Sequence, residues 1–535
     1  MARRSLALLI CGVVAAAVVG LIAAPVQARQ PSSTDSRPNI LLVMTDDMAA
    51  SDLSKMPNVN RLLVKQGTSF TQAITSFPLC CPSRASLLTG MYAHNHGVSG
   101  NFAPSGYYGL THRDNTLPVW LEKAGYHTAL IGKYLNGIGS RNPREIPPGY
   151  SEWHGVLDLS AYDYFNYTIN ENGKLKTWGD PVYAYALLEM ARVVESQEIH
   201  NILDFIKVIG RLFKPGNFGT KLARNYTNDV TAAITDSVLK GQAKAAKPFF
   251  VWWAPAAPHR EDLNSQRGAT WADPRPAPRD EASMSKYVMP KTPSFNQADV
   301  SASPKLMREI PLLNDAGIAR LERNYQGRIA SLQSVDDGVA KLVATLKRSG
   351  QMSNTVIIFV SDNGWVQGEH RIPGDKFVPY EESIKVPLVI SGAGIPSGKT
   401  VDNQVAANVD LTPTLLELAN GKARRLADGL SLLPYIAGTS QEPNRMLPIE
   451  ATGKLFVAEG FPQAWDQAYS GVRSRQWKYV KWSYGDIELY DLRKDPYEIN
   501  NLALKPAYAA TVKSLESKRR ALAVCKGKSC TTMRG

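Results

Sequence analysis

The chain has 535 residues, of which 44% are hydrophobic and 20% charged, and its formal net charge is +13. This length exceeds one ordinary core and the composition excludes a disordered or low-complexity chain, so one large domain with a smaller one is expected. The positive charge suits an anionic partner, but no aromatic–basic interleaving or nucleic-acid module accompanies it, so nucleic acid is not an expected ligand.

Arg3 and Arg4 precede an almost wholly apolar run from Leu6 to Ala24, and Val26-Gln27-Ala28 offers small residues for cleavage. This pattern predicts a secretory signal peptide over residues 1–28 and a secreted or extracytoplasmic protein. A retained single-pass anchor is the alternative, because the run approaches spanning length. Residues 29–38 read as a polar linker. Asn39 to Thr45 is then a continuous apolar run ending at Asp46 and Asp47, and similar runs recur at Thr128 to Ile131, Phe249 to Trp253, Val356 to Val360 and Val386 to Ile390. Such runs read as strands buried on both faces. Ile329, Leu332, Val339, Leu342, Val343 and Leu346 follow helical spacing. Strands alternating with amphipathic helices predict an α/β fold, a large mixed and mostly parallel sheet flanked by helices, with ligands at the strand ends.

An insertion at 180–222 carries Ile199, Ile202, Leu203, Ile206, Ile209 and Phe213 at helical spacing beside Lys207, Arg211 and Lys214. It reads as a helical hairpin packed on the body, with a substrate lid, an oligomer contact or an interfacial membrane helix as sharper alternatives. No other segment suggests membrane contact. After Gly438 the texture changes. Ser470 to Lys481 and Ile487 to Leu492 are short aromatic-rich segments around the turn Ser483-Tyr484-Gly485-Asp486, followed by a helix expected from Lys505 to Ala523. The expected division is therefore a catalytic domain over 39–438 and a small antiparallel-sheet subdomain with a helix over 439–535. Cys525 and Cys530 are expected to form a small disulfide in an exported chain.

The most informative segment is Leu79-Cys80-Cys81-Pro82-Ser83-Arg84, continuing to Thr89-Gly90. On residue type alone, the two cysteines equally fit a buried pair ahead of a proline-bearing helix. The segment resembles the Cys-x-Pro-Ser-Arg…Thr-Gly signature of the sulfatases. In that family a formylglycine-generating enzyme oxidises the first cysteine to Cα-formylglycine, an aldehyde whose hydrate attacks the sulfur of a sulfate ester. Pro82, Ser83 and Arg84 keep the family spacing from Cys80, not from Cys81. The resemblance also implies the alkaline-phosphatase-like sulfatase fold.

Asp46 and Asp47 end one predicted strand, and Asp362 and Asn363 end another. Singly, the first pair fits a helix cap or loop, and Asp362-Asn363-Gly364 fits a turn. Together, three carboxylates and an amide carbonyl give a hard divalent cation its oxygen ligands. Calcium suits the family, magnesium shares the ligand type, and Cys80 in its converted form would join the metal set. By the same resemblance Arg84 holds the hydrated aldehyde, and Lys133 and Lys376 match the family's two lysines. His259 matches the histidine after the central strand, and His259 or Lys376 would protonate the leaving sugar oxygen. The chain departs from many sulfatases where a second histidine would follow Lys133, since Leu135 and Asn136 stand there. His94 and His96 read equally as site wall or as structural residues.

Asn166-Tyr167-Thr168, Val409-Asp410-Leu411-Thr412-Pro413-Thr414 and Glu488-Leu489-Tyr490-Asp491-Leu492 resemble the N-acetylglucosamine-6-sulfatase and extracellular heparan 6-sulfatase branch. The resemblance implies an exported, calcium-dependent sulfatase acting on a sulfated sugar or aryl sulfate, with the 6-sulfate of a glucosamine-type sugar as its substrate. General arylsulfatase action, phosphate ester hydrolysis on the same scaffold, and non-catalytic glycan binding are the rival readings.

Overall fold

The five apolar runs lie in one sheet. The computed structural model describes residues 35–158, 160–179, 225–261, 273–452 and 468–532. The expected signal peptide and the expected insertion at 180–222 fall outside them. The strands are β1 (Asn39–Thr45), β2 (Gly67–Phe70), β3 (Ala73–Ile74), β4 (His127–Lys133), β5 (Glu152–Val156), β6 (Tyr167–Glu171), β7 (Lys174–Trp178) and β8 (Phe249–Ala254). They continue with β9 (Thr355–Ser361), β10 (Leu388–Gly392), β11 (Lys399–Val401), β12 (Ala406–Ala407), β13 (Leu447–Ala451), β14 (Tyr469–Arg473), β15 (Trp477–Trp482) and β16 (Ile487–Asp491). Ten of them form a sheet in the order β11-β2-β10-β9-β1-β8-β4-β5-β6-β7. The block β9-β1-β8-β4-β5 runs parallel, whereas β10 on one side and β6 on the other are antiparallel to it. The mixed, largely parallel sheet expected from the sequence is therefore present.

Helices cover both faces, which explains why the central runs 40–44, 249–254 and 356–360 carry no polar residue on either side. Leu41 and Val43 pack with residues of helices α2 (Thr227–Gln242) and α3 (Asp315–Arg348). Ile40, Leu42 and Met44 alternate into the opposite core with Leu87 and Leu88 of α1 (Cys80–Thr89). Asn314 caps α3 by accepting the Gly317 N–H at 2.9 Å.

Register positions the chemistry. Thr45 of β1 pairs with Ser361 of β9, so Asp46 and Asp362 leave adjacent strands side by side. Val43 pairs with Trp253 of β8, and Gly132 of β4 with Ala254. The C-terminal ends of β1, β9, β8 and β4 thus share one edge of the sheet.

Strands β13 to β16 form a separate antiparallel sheet. The segment Ser470 to Lys481, expected as one strand, is two. Its chain reverses at residues 474–476, where Ser474 Oγ accepts the Trp477 N–H at 3.0 Å. The following helix runs Ala509–Leu522, later than expected, because Pro506 opens a 3₁₀ turn first. Cys525 and Cys530 are disulfide-bonded, while Cys80 and Cys81 are free and buried. The division expected at 438/439 lies between the helix Leu433–Ala437 and β13.

Candidate active site

Asp46 and Asp47 follow β1 immediately. Asp47 takes a left-handed backbone (φ 66°), which aspartate tolerates, and its N–H donates to Asp362 Oδ1 at 3.1 Å. The Asp362 N–H in turn donates to Thr45 O at 3.2 Å, fastening the two strand ends together. Asp362 Oδ1 also accepts its neighbour's Asn363 N–H at 2.9 Å. Asn363 Nδ2 donates to Asp47 Oδ1 at 2.7 Å.

Helix α1 brings the cysteine. Leu79 is extended, Cys80 begins the helix, and all ten helical residues are buried. Cys80 Sγ lies 3.4 Å from Asp46 Oδ1 and 3.9 Å from Asp47 Oδ1. The Cys81 side chain points elsewhere, into the apolar core with Met44 and Leu88. Ser83 donates to Asp362 O and accepts the Asn408 side-chain amide at 3.1 Å, locking the helix to the β9 loop. Arg84 stands one helical turn beyond Cys80. Its Nε donates to Asp362 Oδ2 at 2.8 Å, its Nη1 to Lys133 O at 2.8 Å, and its Nη2 lies 3.7 Å from Asp46.

Two lysines close the cluster. Lys133, the last residue of β4, pairs with Asp46. Lys376 pairs with Asp47 and approaches Cys80 Sγ at 2.8 Å. His259 follows β8. Its Nδ1–H donates to Arg260 O at 2.6 Å, which turns Nε2 toward Asp47 Oδ2 at 3.5 Å. Every catalytic and metal residue expected from the sequence therefore lies in one buried cluster.

Within it, Asp46, Asp47, Cys80 and His259 bring ligand atoms within 4.8 Å of one another. Asp362 stands just behind, its carboxylate engaged by Arg84 and backbone N–H groups. Among the described residues, the buried oxygens Asp47 Oδ2 and Asn363 Oδ1 lack hydrogen-bond partners. Unpaired buried oxygens beside two further carboxylates are what a hard cation would satisfy, so the donor set fits calcium or magnesium.

Electrostatics follow from burial and balance. Three carboxylates (Asp46, Asp47, Asp362) face three cations (Arg84, Lys133, Lys376). Burial opposes ionisation of Asp47, but Lys376, His259 and Lys133 outweigh it and hold the carboxyl below its ordinary range. Burial works against both lysine ammoniums, and Asp46 and Asp47 nevertheless raise them. Burial, with Asp46 next to it, pushes the Asp362 carboxyl up. The Cys80 thiol is pushed well up by burial and by Asp46, so the unmodified side chain is no ready nucleophile. Burial lowers His259 against the pull of Asp47.

Other site residues were not foreseen. The Tyr162 ring lies 4.3 Å from Lys133 Nζ and 4.3 Å from the His259 ring, and its hydroxyl meets Asn136 Nδ2. Nothing in its own stretch of sequence marks it. Arg328 was legible in principle. It occupies a position on the buried stripe of α3 through Leu321, Tyr325, Leu332 and Val335, where an apolar residue is expected. Its guanidinium donates to Asp47 O at 2.5 Å and lies 3.4 Å from Asp52. Leu135 is a core residue. Asn136 is tied to Asp158 at 3.3 Å. His94 and His96 are structural. His94 pairs with Glu450 at 2.9 Å and reaches Cys525 O, while His96 bonds Ser86 and accepts the Val98 N–H at 3.1 Å.

A family model described as Sulfatase matches residues 38–421, and one described as N-sulphoglucosamine sulphohydrolase, C-terminal, matches residues 368–524. The chain is 28% identical to the N-acetylglucosamine-6-sulfatase of Homo sapiens, covering 93% of this chain and 86% of that one. It is also 28% identical to an arylsulfatase of Volvox carteri, over 96% and 79%. A solved structure of a protein bound to its substrate D-glucosamine-2-N,6-O-disulfate shares the fold, with TM-score 0.67, 22% identity, and 90% and 97% coverage.

Proposed function

The chain belongs to the sulfatase family and is a sulfuric ester hydrolase, and from that premise we propose that it removes the 6-sulfate of a glucosamine-type sugar through a formylglycine made from Cys80. The observation that carries this reading is the convergence of Cys80 with Asp46, Asp47, Asp362, Asn363, Arg84, Lys133, Lys376 and His259 at one strand edge. Relatives named N-acetylglucosamine-6-sulfatase from Homo sapiens, Capra hircus and Bos taurus, matched along most of the chain, support the sugar.

Asp46, Asp47, Asp362 and Asn363 would hold a calcium ion, which when bound supplies Lewis acidity to the sulfate oxygens. Formylglycine supplies a hydroxyl nucleophile that the thiol does not. The chain's own residues do the rest. Arg84 stands one turn from residue 80, fixed by Asp362 and Lys133 O, and orients the group there. Because the carboxylates and cations already balance, a bound divalent ion leaves an excess of positive charge, which favours an anionic ester. Lys133 and Lys376 are fixed cations facing the place where charge develops on the transferring group. His259, its Nδ1 proton committed to Arg260 O, presents Nε2 to the site. Lys376, held charged beside Asp47, or His259 when also protonated at Nε2, delivers the proton that a basic sugar alkoxide requires.

Export through a signal peptide over residues 1–28 is part of the proposal, and amino-terminal sequencing of secreted protein tests it. The described residues contain no helix long and apolar enough to cross a membrane.

The decisive experiment has two readouts. Protein made with a formylglycine-generating enzyme should show the aldehyde mass at Cys80 and an intact thiol at Cys81. It should hydrolyse N-acetylglucosamine-6-sulfate and an aryl sulfate far faster than an aryl phosphate. Conversion at Cys81 alone would overturn the assigned nucleophile. Faster phosphate hydrolysis would assign the site to phosphate esters instead.

A further inference from the structure

A second cavity, of about 250 Å³, lies where the small sheet meets the large one, and none of its walls belongs to the active site. Four cationic side chains face it, Lys385, Arg473, Arg475 and Arg493, against two carboxylates, Glu381 and Asp402. The two carboxylates offset at most two of the four cations. Glu381 is already shared between Arg473 at 2.9 Å and Lys478 at 3.1 Å. Asp402 is 65% exposed and 3.7 Å from Arg475, a surface pairing that water weakens.

Arg473 makes the cavity more than a basic patch. Its side chain is only 2% exposed. Nε and Nη2 donate to Glu381, and Nη2 also to Gln72 at 2.5 Å. Nη1, however, is buried without a hydrogen-bond partner among the described residues. A buried guanidinium N–H calls for an oxygen acceptor, and the fork geometry of arginine matches tetrahedral oxyanions. The geometry points to a second oxyanion site here, taking a sulfate or phosphate group between Arg473, Arg475, Arg493 and Lys385. The same chemistry has two sources, a free inorganic anion or a sulfate borne on a glycan chain. The inference does not rest on the proposed activity, because it concerns binding at residues that take no part in catalysis.

The test is equilibrium dialysis of the full chain against radiolabelled inorganic sulfate at fixed ionic strength. Arg475→Gln combined with Arg493→Gln removes two rim cations that are not buried, so folding is retained and aryl-sulfate turnover should be unchanged. Wild type should bind one more sulfate per chain than this variant, or bind one class at least tenfold more tightly. Arg473→Lys keeps the charge without the fork and should fall between them. A size-defined heparin-derived tetrasaccharide that displaces the substitution-sensitive label identifies glycan sulfate as the occupant. Displacement by inorganic phosphate but not by the tetrasaccharide identifies the free anion. Identical sulfate stoichiometry and affinity in wild type and the double variant, or equal displacement by chloride at the same ionic strength, would overturn the site.

Discussion

Two buried arginine–aspartate pairs in this molecule differ in what they leave open. Arg445 grips Asp410 through both guanidinium nitrogens at 2.7 Å, and each carboxylate oxygen also accepts a backbone N–H, from Ala407 and Leu430, at 2.8 Å. Arg84 meets Asp362 through Nε alone, and among the described residues its Nη2 and the nearby Asp47 Oδ2 and Asn363 Oδ1 have no hydrogen-bond partner. In the first pair both carboxylate oxygens accept two hydrogen bonds and hold the chain together, and only Arg445 Nε lacks a hydrogen-bond partner among the described residues. The second belongs to a group whose unmet donors and acceptors await a third party. Equal burial therefore carries different meanings, and saturation of the acceptor oxygens separates them.

Neutralising one carboxylate in each region gives the largest contrast. Asp410→Asn strands Arg445 without its charge partner and should cost about 3–5 kcal/mol of unfolding free energy, leaving the turnover of the folded fraction intact. Asp47→Asn should lower kcat/KM of the folded protein by about 10³-fold, which Asp410→Asn should not do. Urea unfolding and initial rates on both variants decide the matter. Parallel losses in both would erase the distinction.

The proposed proton-delivery groups sharpen the contrast inside the open cluster. His259→Ala or Lys376→Ala should reduce sugar-sulfate hydrolysis by about 10²-fold more than aryl-sulfate hydrolysis, because a phenolate needs little protonation. Equal losses on both substrates would make these residues sulfate binders only.

Metal removal addresses the unpaired oxygens. Chelation should lower wild-type stability by about 2.7 kcal/mol relative to protein at a hundredfold excess of calcium over its dissociation constant, and calcium should restore it. Asp47→Asn should respond far less, and a melting curve in chelator and in calcium reads the difference without any substrate.

Backbone placement of the cluster is tested at Gly132, which precedes Lys133 with φ 108°. An added Cβ would meet Ala254 O inside contact distance, against backbone that cannot swing aside. Gly132→Ala should cost about 1–3 kcal/mol and reduce turnover by shifting Lys133. Unchanged stability and turnover would show that the β4 end tolerates movement.

The last test is a pH dependence in the structural histidines. Burial and neighbouring His94 lower the His96 pKa to about 3, below the ordinary value of 6.5. Its folded form thus refuses a proton that the unfolded chain accepts. Its contribution is complete above pH 6.5 and declines by about 1.4 kcal/mol per pH unit as pH falls toward 3. His94 has the opposite sign: burial opposes its charge, but Glu450 raises its pKa, so its stabilisation fades as pH rises through that raised value. His96→Gln should flatten the acid limb of an unfolding series, and an unaltered limb would remove His96 as its source.

Much of this was legible in the chain itself. The strands announced themselves because burial on both faces leaves no room for polar alternation, and acids directly after two such runs marked the shared edge. What failed to show has physical reasons. The turn at 474–476 contains neither glycine nor proline, and a serine hydroxyl serves instead, so two strands read as one. Tyr162 reaches Lys133 and His259 only through the folding of a loop, which leaves no local periodicity. Arg328 did leave a trace, a charge on an apolar stripe, which becomes meaningful once Asp47 O is known to lie opposite. His94 and His96 share an alternating pattern, but their partners are hundreds of residues away or on α1, and spacing alone did not separate them from site residues.

The complete enclosure of Cys80 sets an order of events for the protein's manufacture. A side chain with no exposed surface, at the head of a helix whose every residue is buried, is out of reach of any other enzyme once the sheet has closed over it. The proposed oxidation of that cysteine has to happen on the open chain, before packing. Folding then acts as a deadline, and a molecule that misses it stays a correctly shaped thiol protein. Adding the modifying enzyme to such folded material should accomplish nothing, whereas unfolding it, treating it and letting it refold should recover the lost fraction.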